Sequence, residues 1–184
     1  MTQAVIVGYA RTPFHFATKG ALAALSAPAA KRYTAQVQAG ESPWNTIDPT
    51  AVTADVIERT PPPAHLTESL RLAPVVLVVC VDLKVVASTD QALPRVGVIS
   101  GASIYPFVWN ILLSARQEGL AGTITTLAVA QEPKLQALLG IPSHVAVAAV
   151  MPMGRPVTRL TKLKRKAVAE FTALERWGGT PLPG

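Results

Sequence analysis

GASIYPFVWNILLSARQEGLAGTITTL, residues 101–127, is the stretch whose reading decides the fold. Phe107, Val108, Ile111, Leu112, Ala115 and Leu120 recur at helical spacing, while Trp109 and Leu113 lie off that stripe and add apolar surface elsewhere. The pattern predicts one long helix that is apolar nearly all round and therefore buried nearly all round, beneath a sheet or against a second copy of the chain. Ser103 is the expected N-cap, its side-chain oxygen accepting from an orphan amide, and Pro106 falls in the first turn, where its missing N–H costs nothing. Gly119 is the expected C-cap. Beyond it, Thr123 to Leu127 is β-branched and predicts a buried strand.

Working outward, Ala73 to Asp82 (APVVLVVCVD) is a continuous apolar run that predicts a central strand buried on both faces. Val85 to Val98 is polar and irregular and reads as a loop. On the far side, Glu132 to Leu139 predicts a short helix ended by Gly140-Ile141-Pro142, and His144 to Met151 another apolar strand. Toward the start, Thr50 to Arg59 predicts a short helix centred on Thr53 to Ile57, closed by Thr60-Pro61-Pro62-Pro63, where proline forces an extended chain. Gly40 to Pro49 is a loop, in which Trp44 either covers a ligand or pins the loop. Ala21 to Gln38 is an Ala-rich helix interrupted near Pro28, and Thr2 to Tyr9 a buried strand. Helices and strands follow one another without segregating, so the expected class is α+β: a mixed sheet flanked by helices around a long buried central helix, in one domain spanning 1–184.

Composition narrows the function. Hydrophobic residues make up 49% of the 184 and charged ones 15%, which specifies a folded core and a sparsely charged surface suited to an oligomer. The formal charge is +6, and the excess gathers at Arg155, Arg159, Lys162, Lys164, Arg165 and Lys166. One local cluster with no aromatic residues between its cations fits a phosphate site, or a solvated basic turn, better than a nucleic-acid stripe. The single cysteine, Cys80, excludes an internal disulfide and reads as an inert buried thiol. His15, His65 and His144 show no metal-ligand spacing, so no metal is expected. No charged segment precedes an apolar one at the start, and no apolar stretch is long enough to span a bilayer. The expectation is a soluble cytoplasmic protein without membrane or nucleic-acid partners.

The 101–127 run, followed by "LLGIP", "VMPMGRP" and the basic "LKRKAV", resembles the C-terminal part of the nitroreductase family of flavin enzymes, in the same order over roughly Leu70 to Gly178. The resemblance implies a nitroreductase-like fold, bound FMN, NAD(P)H as electron donor, a nitroaromatic, quinone or related acceptor, and a homodimer with flavin sites at the subunit interface. It implies that Ile124, Thr125 and Thr126 lie against the flavin ring, that Lys164, Arg165 and Lys166 hold its phosphate, and that Ser103 and Ile104, with Tyr105, lie close to it. On the residues alone, Ile124 to Thr126 suits a plain β-branched strand equally well, and Tyr105 a core aromatic. No catalytic acid or base is implied, because hydride moves between nicotinamide and flavin without a side-chain proton relay. Residues 1–69 depart from the family pattern: its Arg/Ser-rich phosphate segment and its Pro-Ser and Asn-Gln pairs are not found, so the N-terminal part of the usual fold is altered or missing. The first 23 residues, with the ARTPF turn, instead resemble the start of thiolases, but that family's nucleophilic cysteine segment is not found and Cys80 sits in no such context. The alternative function is a flavin-free nitroreductase-like module that binds or scaffolds.

Overall fold

The computed structural model describes residues 16–158 and 161–182. The strand expected over Thr2 to Tyr9 and most of the thiolase-like opening lie outside them. Eight elements carry the fold: α1 (Phe16–Gln38), α2 (Ala54–Arg59), α3 (Glu68–Leu72), β1 (Val75–Asp82), α4 (Ile104–Gln117), β2 (Ala121–Gly122), α5 (Glu132–Leu139) and β3 (Val145–Gly154). Among the described residues the strands form a three-stranded sheet in the order β1-β3-β2. The architecture is α+β, as expected, but every strand pairing among the described residues is antiparallel rather than mixed.

The expected central strand, Ala73 to Asp82, is β1 and lies at the edge of this sheet; the centre is taken by β3, the longer of the two apolar runs. Both faces of β1 are nonetheless covered, which is why its sequence reads as continuous apolar residues. On one face Val76 and Cys80 join Val145, Val147 and Val150 of β3 with Leu22, Leu70 and Leu135 from α1, α3 and α5. On the other, Val79 joins Ala149, Met151 and Met153 beneath Ile104 and Val108 of α4.

A β-bulge holds these two faces in register. Val79 pairs with Ala149 but Cys80 pairs with Val147, so Ala148 is the extra residue of β3. One extra residue reverses the parity of the strand. Val145 and Val147 therefore share a face with Val150 rather than with Ala149, and their backbone groups turn to the edge through which Val150 exchanges hydrogen bonds with Thr125. Among the described residues no strand lies beside β3 there. Helix α5 supplies the partners instead: the Val147 N–H donates to Glu132 Oε1 at 2.6 Å, and Gln136 Nε2 donates to the Val145 carbonyl at 2.9 Å. Glu132 and Gln136 stand four residues apart, on one face of α5, as this task requires.

Helix α4 departs from the expectation of near-complete burial. Ile104 and Val108 are buried, while Tyr105, Trp109 and Leu113 are 47%, 57% and 47% exposed. The off-stripe residues thus form a second apolar face that the described residues leave uncovered. Ser103 is the N-cap by position but makes no side-chain capping bond, because its backbone is already helical. The C-terminus behaves as expected: Gly119 has φ +73°, its N–H donates to the Arg116 carbonyl, and the Leu120 N–H reaches back to Ala115, which together close a Schellman motif.

Helix α1 runs unbroken through Pro28, against the expected interruption. Pro28 and Ala24 lie on the exposed side, where the Ala24 carbonyl that loses its helical donor meets water. The remaining face of α1 buries Leu22, Ala23, Ser26, Ala29 and Ala30, and Lys19 donates to the Ala73 and Pro74 carbonyls at the end of α3. Thr53 caps α2 through its side chain, as the expected helix start requires. The buried carboxylate of Asp90 organises the loop 83–98: it accepts from the amides of Val98 and Ile99, from Arg95 and from Ser88.

Candidate functional site

A cleft of about 740 Å³ opens between α1, the loop after it, the turn before α3 and the segment that follows β2. Its volume falls within the range of small-molecule and cofactor sites. Three groups of residues make its walls. Ala29 and Tyr33, one helical turn apart on α1, form the first with Pro43 and Trp44. His65, Leu66 and Ser69 form the second. Thr123 to Leu127, with Val129 and Ala130, form the third.

The third wall is set by glycine and by strand geometry. A Cβ at Gly122 would strike Met153 Sδ and lie 2.9 Å from the Pro152 carbonyl, so only glycine lets the chain run this close to β3. From there the backbone alternates. The Thr123 and Thr125 N–H groups donate to Pro152 and Val150 of β3. The intervening amides of Ile124 and Thr126 face away from β3, and neither has a hydrogen-bond partner among the described residues. Two free backbone donors thus stand on the wall of an apolar, aromatic-lined cleft.

Trp44 is held from behind. Its backbone takes φ +51°, a left-handed conformation that a bulky side chain adopts only under constraint. The constraint comes from Gln36, 2% exposed, whose Oε1 accepts from the Trp44 N–H at 3.3 Å. The Arg32 guanidinium lies over the indole, 5.1 Å from the ring centroid. Glu41 ties the loop shut by accepting from the Thr50 hydroxyl and the Ala51 N–H, and the Thr50 bond first among these holds its carboxyl below the usual range.

The residues expected at the site do not all gather there. Ile124, Thr125 and Thr126 line the cleft, though as an irregular extended segment with one bridge to β3 rather than a full strand. Ile104 is buried in the α4 core, which Ile124 also touches, and Ser103 is exposed outside the cleft. Tyr105 is partly exposed and its hydroxyl donates to the Ala148 carbonyl at the bulge. Lys164, Arg165 and Lys166 are exposed on irregular chain, with no ion pair among the described residues and no place in the cleft lining. Tyr33, Leu66, Ser69 and Val129 enter the cleft without having been singled out in the sequence, although Tyr33 at four residues from Ala29 is the kind of spacing that shares a helix face. His65 lines the cleft as a lone histidine, and no group of metal-ligating side chains forms among the described residues. Cys80 is buried, and burial first, with the nearby Glu132 carboxylate second, pushes its thiol up to about 11, so it is inert. No described helix is long and apolar enough to cross a membrane.

As a ligand site the cleft suits a planar aromatic ring whose edge carries carbonyl and ring-nitrogen acceptors. The isoalloxazine of FMN has that character, and the aromatic walls and free amides fit it. Among the described residues that line the cleft none is Lys or Arg, so these supply no cation for a phosphate.

No family model matches the chain. Among solved structures, it is similar to oxidized iodotyrosine deiodinase bound to FMN and 3-iodo-L-tyrosine, at 15% identity over 88% of this chain and 72% of that one, with a TM-score of 0.55. It is also similar to NfrA1 of B. megaterium, at 17% identity over 62% of this chain and 50% of that one, with a TM-score of 0.50. Nitroreductase A of Vibrio parahaemolyticus matches at 21% identity over 62% and 51% of the two chains, with a TM-score of 0.47. The chain spans about half the length of the last two. The deiodinase match, at 88% of the chain, reaches beyond residues 70–178 into the part where the sequence departs from the family pattern. At these identities the likeness is one of fold, and the fold is nitroreductase-like.

Proposed function

We propose that this chain is an FMN-dependent NAD(P)H oxidoreductase of nitroreductase type that reduces nitroaromatic, quinone or related acceptors. The observation that carries the reading is the pair of unpartnered amides at Ile124 and Thr126 on the wall of an aromatic-lined cleft, within a nitroreductase-like fold. Bound FMN would supply the two-electron relay between nicotinamide and acceptor. The chain's own part is binding and electrostatics. Fixed donors at Ile124 and Thr126 favour negative charge on the edge of a ring lying against them, and they do so without reorganising. Tyr33, Leu66 and Val129 exclude water from the ring faces. In this reading Lys164, Arg165 and Lys166 provide the charge-assisted donors for the phosphate, with Arg165 able to give two parallel bonds. The uncovered face of Tyr105, Trp109 and Leu113 supports a homodimer through α4.

A second reading, a flavin-free module that binds or scaffolds, is favoured by the exposed position of Lys164 to Lys166 outside the cleft lining. The visible absorbance of the purified protein and an FMN titration followed by flavin fluorescence separate the two. The oxidoreductase reading expects saturable binding that weakens when Lys164, Arg165 and Lys166 are all replaced by Ala. Absence of binding at high micromolar FMN would sink it in favour of the module.

A further inference from the structure

Trp44 combines three features that a loop tryptophan does not need in order to pin a loop. It lines the cleft. Its backbone is held at positive φ by a buried glutamine. A guanidinium lies over the ring, and that guanidinium has a buried Nε with no hydrogen-bond partner among the described residues. Holding a non-glycine residue in the left-handed region costs free energy, and burying an unpartnered Nε costs more. Both costs go toward fixing one aromatic plane at the cleft wall. The cation over the ring orients the indole but leaves a π-face for a ligand, and electron-poor planar rings stack well on indole.

We propose that Trp44 is the specificity-determining wall of the acceptor subsite, stacking on planar aromatic acceptors, with Arg32 and Gln36 as positioning residues that fix its ring. The assignment rests on the oxidoreductase reading for its acceptor role; the stacking itself does not. Trp44→Leu keeps an apolar side chain in the wall but removes the π-face, whereas Trp44→Phe keeps a face. Arg32→Met removes the cation from behind the ring while retaining an unbranched apolar stem, and Arg32→Lys restores a charge there.

Two measurements test this. First, the tryptophan fluorescence of wild-type protein titrated with 4-nitrobenzyl alcohol shows a saturable quenching component that Trp44→Phe lacks; Trp109 and Trp177, both exposed, remain in that variant as the background. Second, the FMN-loaded enzyme is assayed with 4-nitrobenzyl alcohol and with ferricyanide, which is not a planar aromatic. In Trp44→Leu the ratio of kcat/KM for the nitroaromatic to that for ferricyanide falls on the order of tenfold, through KM rather than kcat, as expected for one lost stacking contact. Trp44→Phe restores most of the ratio. Arg32→Met lowers it through the same KM effect, and Arg32→Lys recovers it. An unchanged ratio in Trp44→Leu in an enzyme that binds FMN overturns the assignment and leaves the oxidoreductase reading standing. If the wild-type chain binds no FMN, the oxidoreductase reading and the acceptor role fall together, and quenching that persists equally in Trp44→Phe overturns the stacking as well.

Discussion

Replacing Glu132 with Ala tests how the central strand is held. The bulge at Ala148 turns the Val147 N–H away from β1 toward an edge where no strand among the described residues pairs with it, and the Glu132 carboxylate is its partner at 2.6 Å. Val147 is 3% exposed, so water does not take over when the carboxylate goes. A hydrogen bond to a charged acceptor contributes about 1.5–3 kcal/mol. Glu132 is also the first residue of α5, whose N-terminus has no side-chain cap, and a carboxylate there adds about 0.3–1 kcal/mol. Together these put the loss in Glu132→Ala at about 2–4 kcal/mol, or a fall in Tm of roughly 4–16 °C for a chain of this size. Glu132→Gln keeps an oxygen that can accept from Val147 and loses only the charge, so it should cost about half as much. Urea unfolding followed by circular dichroism gives both values. Equal stability of Glu132→Ala and wild type, or a Gln variant as weak as the Ala variant, would refute the reasoning, since the first denies the bond and the second its geometry.

Two further outcomes follow from the structure. The Val98 amide, with Arg95 second, holds the Asp90 carboxyl well below the usual carboxylate range; a group depressed in the folded state stabilises it above its unfolded pKa of about 3.9 and loses that contribution as pH falls toward the folded value. Wild-type stability should therefore fall below pH about 4 more steeply than that of Asp90→Asn, while at neutral pH the Asn variant should show faster proteolysis within 83–98, and parallel acid profiles would count against the hub role. Trp109→Glu, which places a charge in the middle of the uncovered α4 face, should convert a dimer to monomer in light scattering without lowering the Tm of the monomer; a wild-type chain already monomeric at high concentration would remove the dimer from the proposal.

What the sequence made legible, and what it hid, divides along a physical line. Periodicity located α4, α5, β1 and β3, because local pattern and burial agree there: apolar residues facing a core, glycine past a helix end, proline where no donor is needed. It could not say that β1 lies at the edge and β3 in the centre. An edge strand covered on both faces by helices carries the same continuous apolar run as a central one, and only the hydrogen-bonding partners differ. Pro28 misled for a related reason, since the cost of an interior proline depends on whether the freed carbonyl meets protein or water, and that is a tertiary fact. The site shows the same division. Ile124 to Thr126 was legible as a segment, but the property that makes it a binding wall is the alternation of its amides, every second one spent on β3 and the others left free, and this depends on a register fixed across 25 residues of chain between Thr125 and Val150. That register depends in turn on Gly122, where any side chain would strike Met153, and on the bulge, whose partners Glu132 and Gln136 read in the sequence as ordinary helix residues. The cleft is therefore built by residues that bind nothing themselves. A substitution at Gly122 should disturb the amides of Ile124 and Thr126 more than a substitution at Thr125 that keeps its backbone in place.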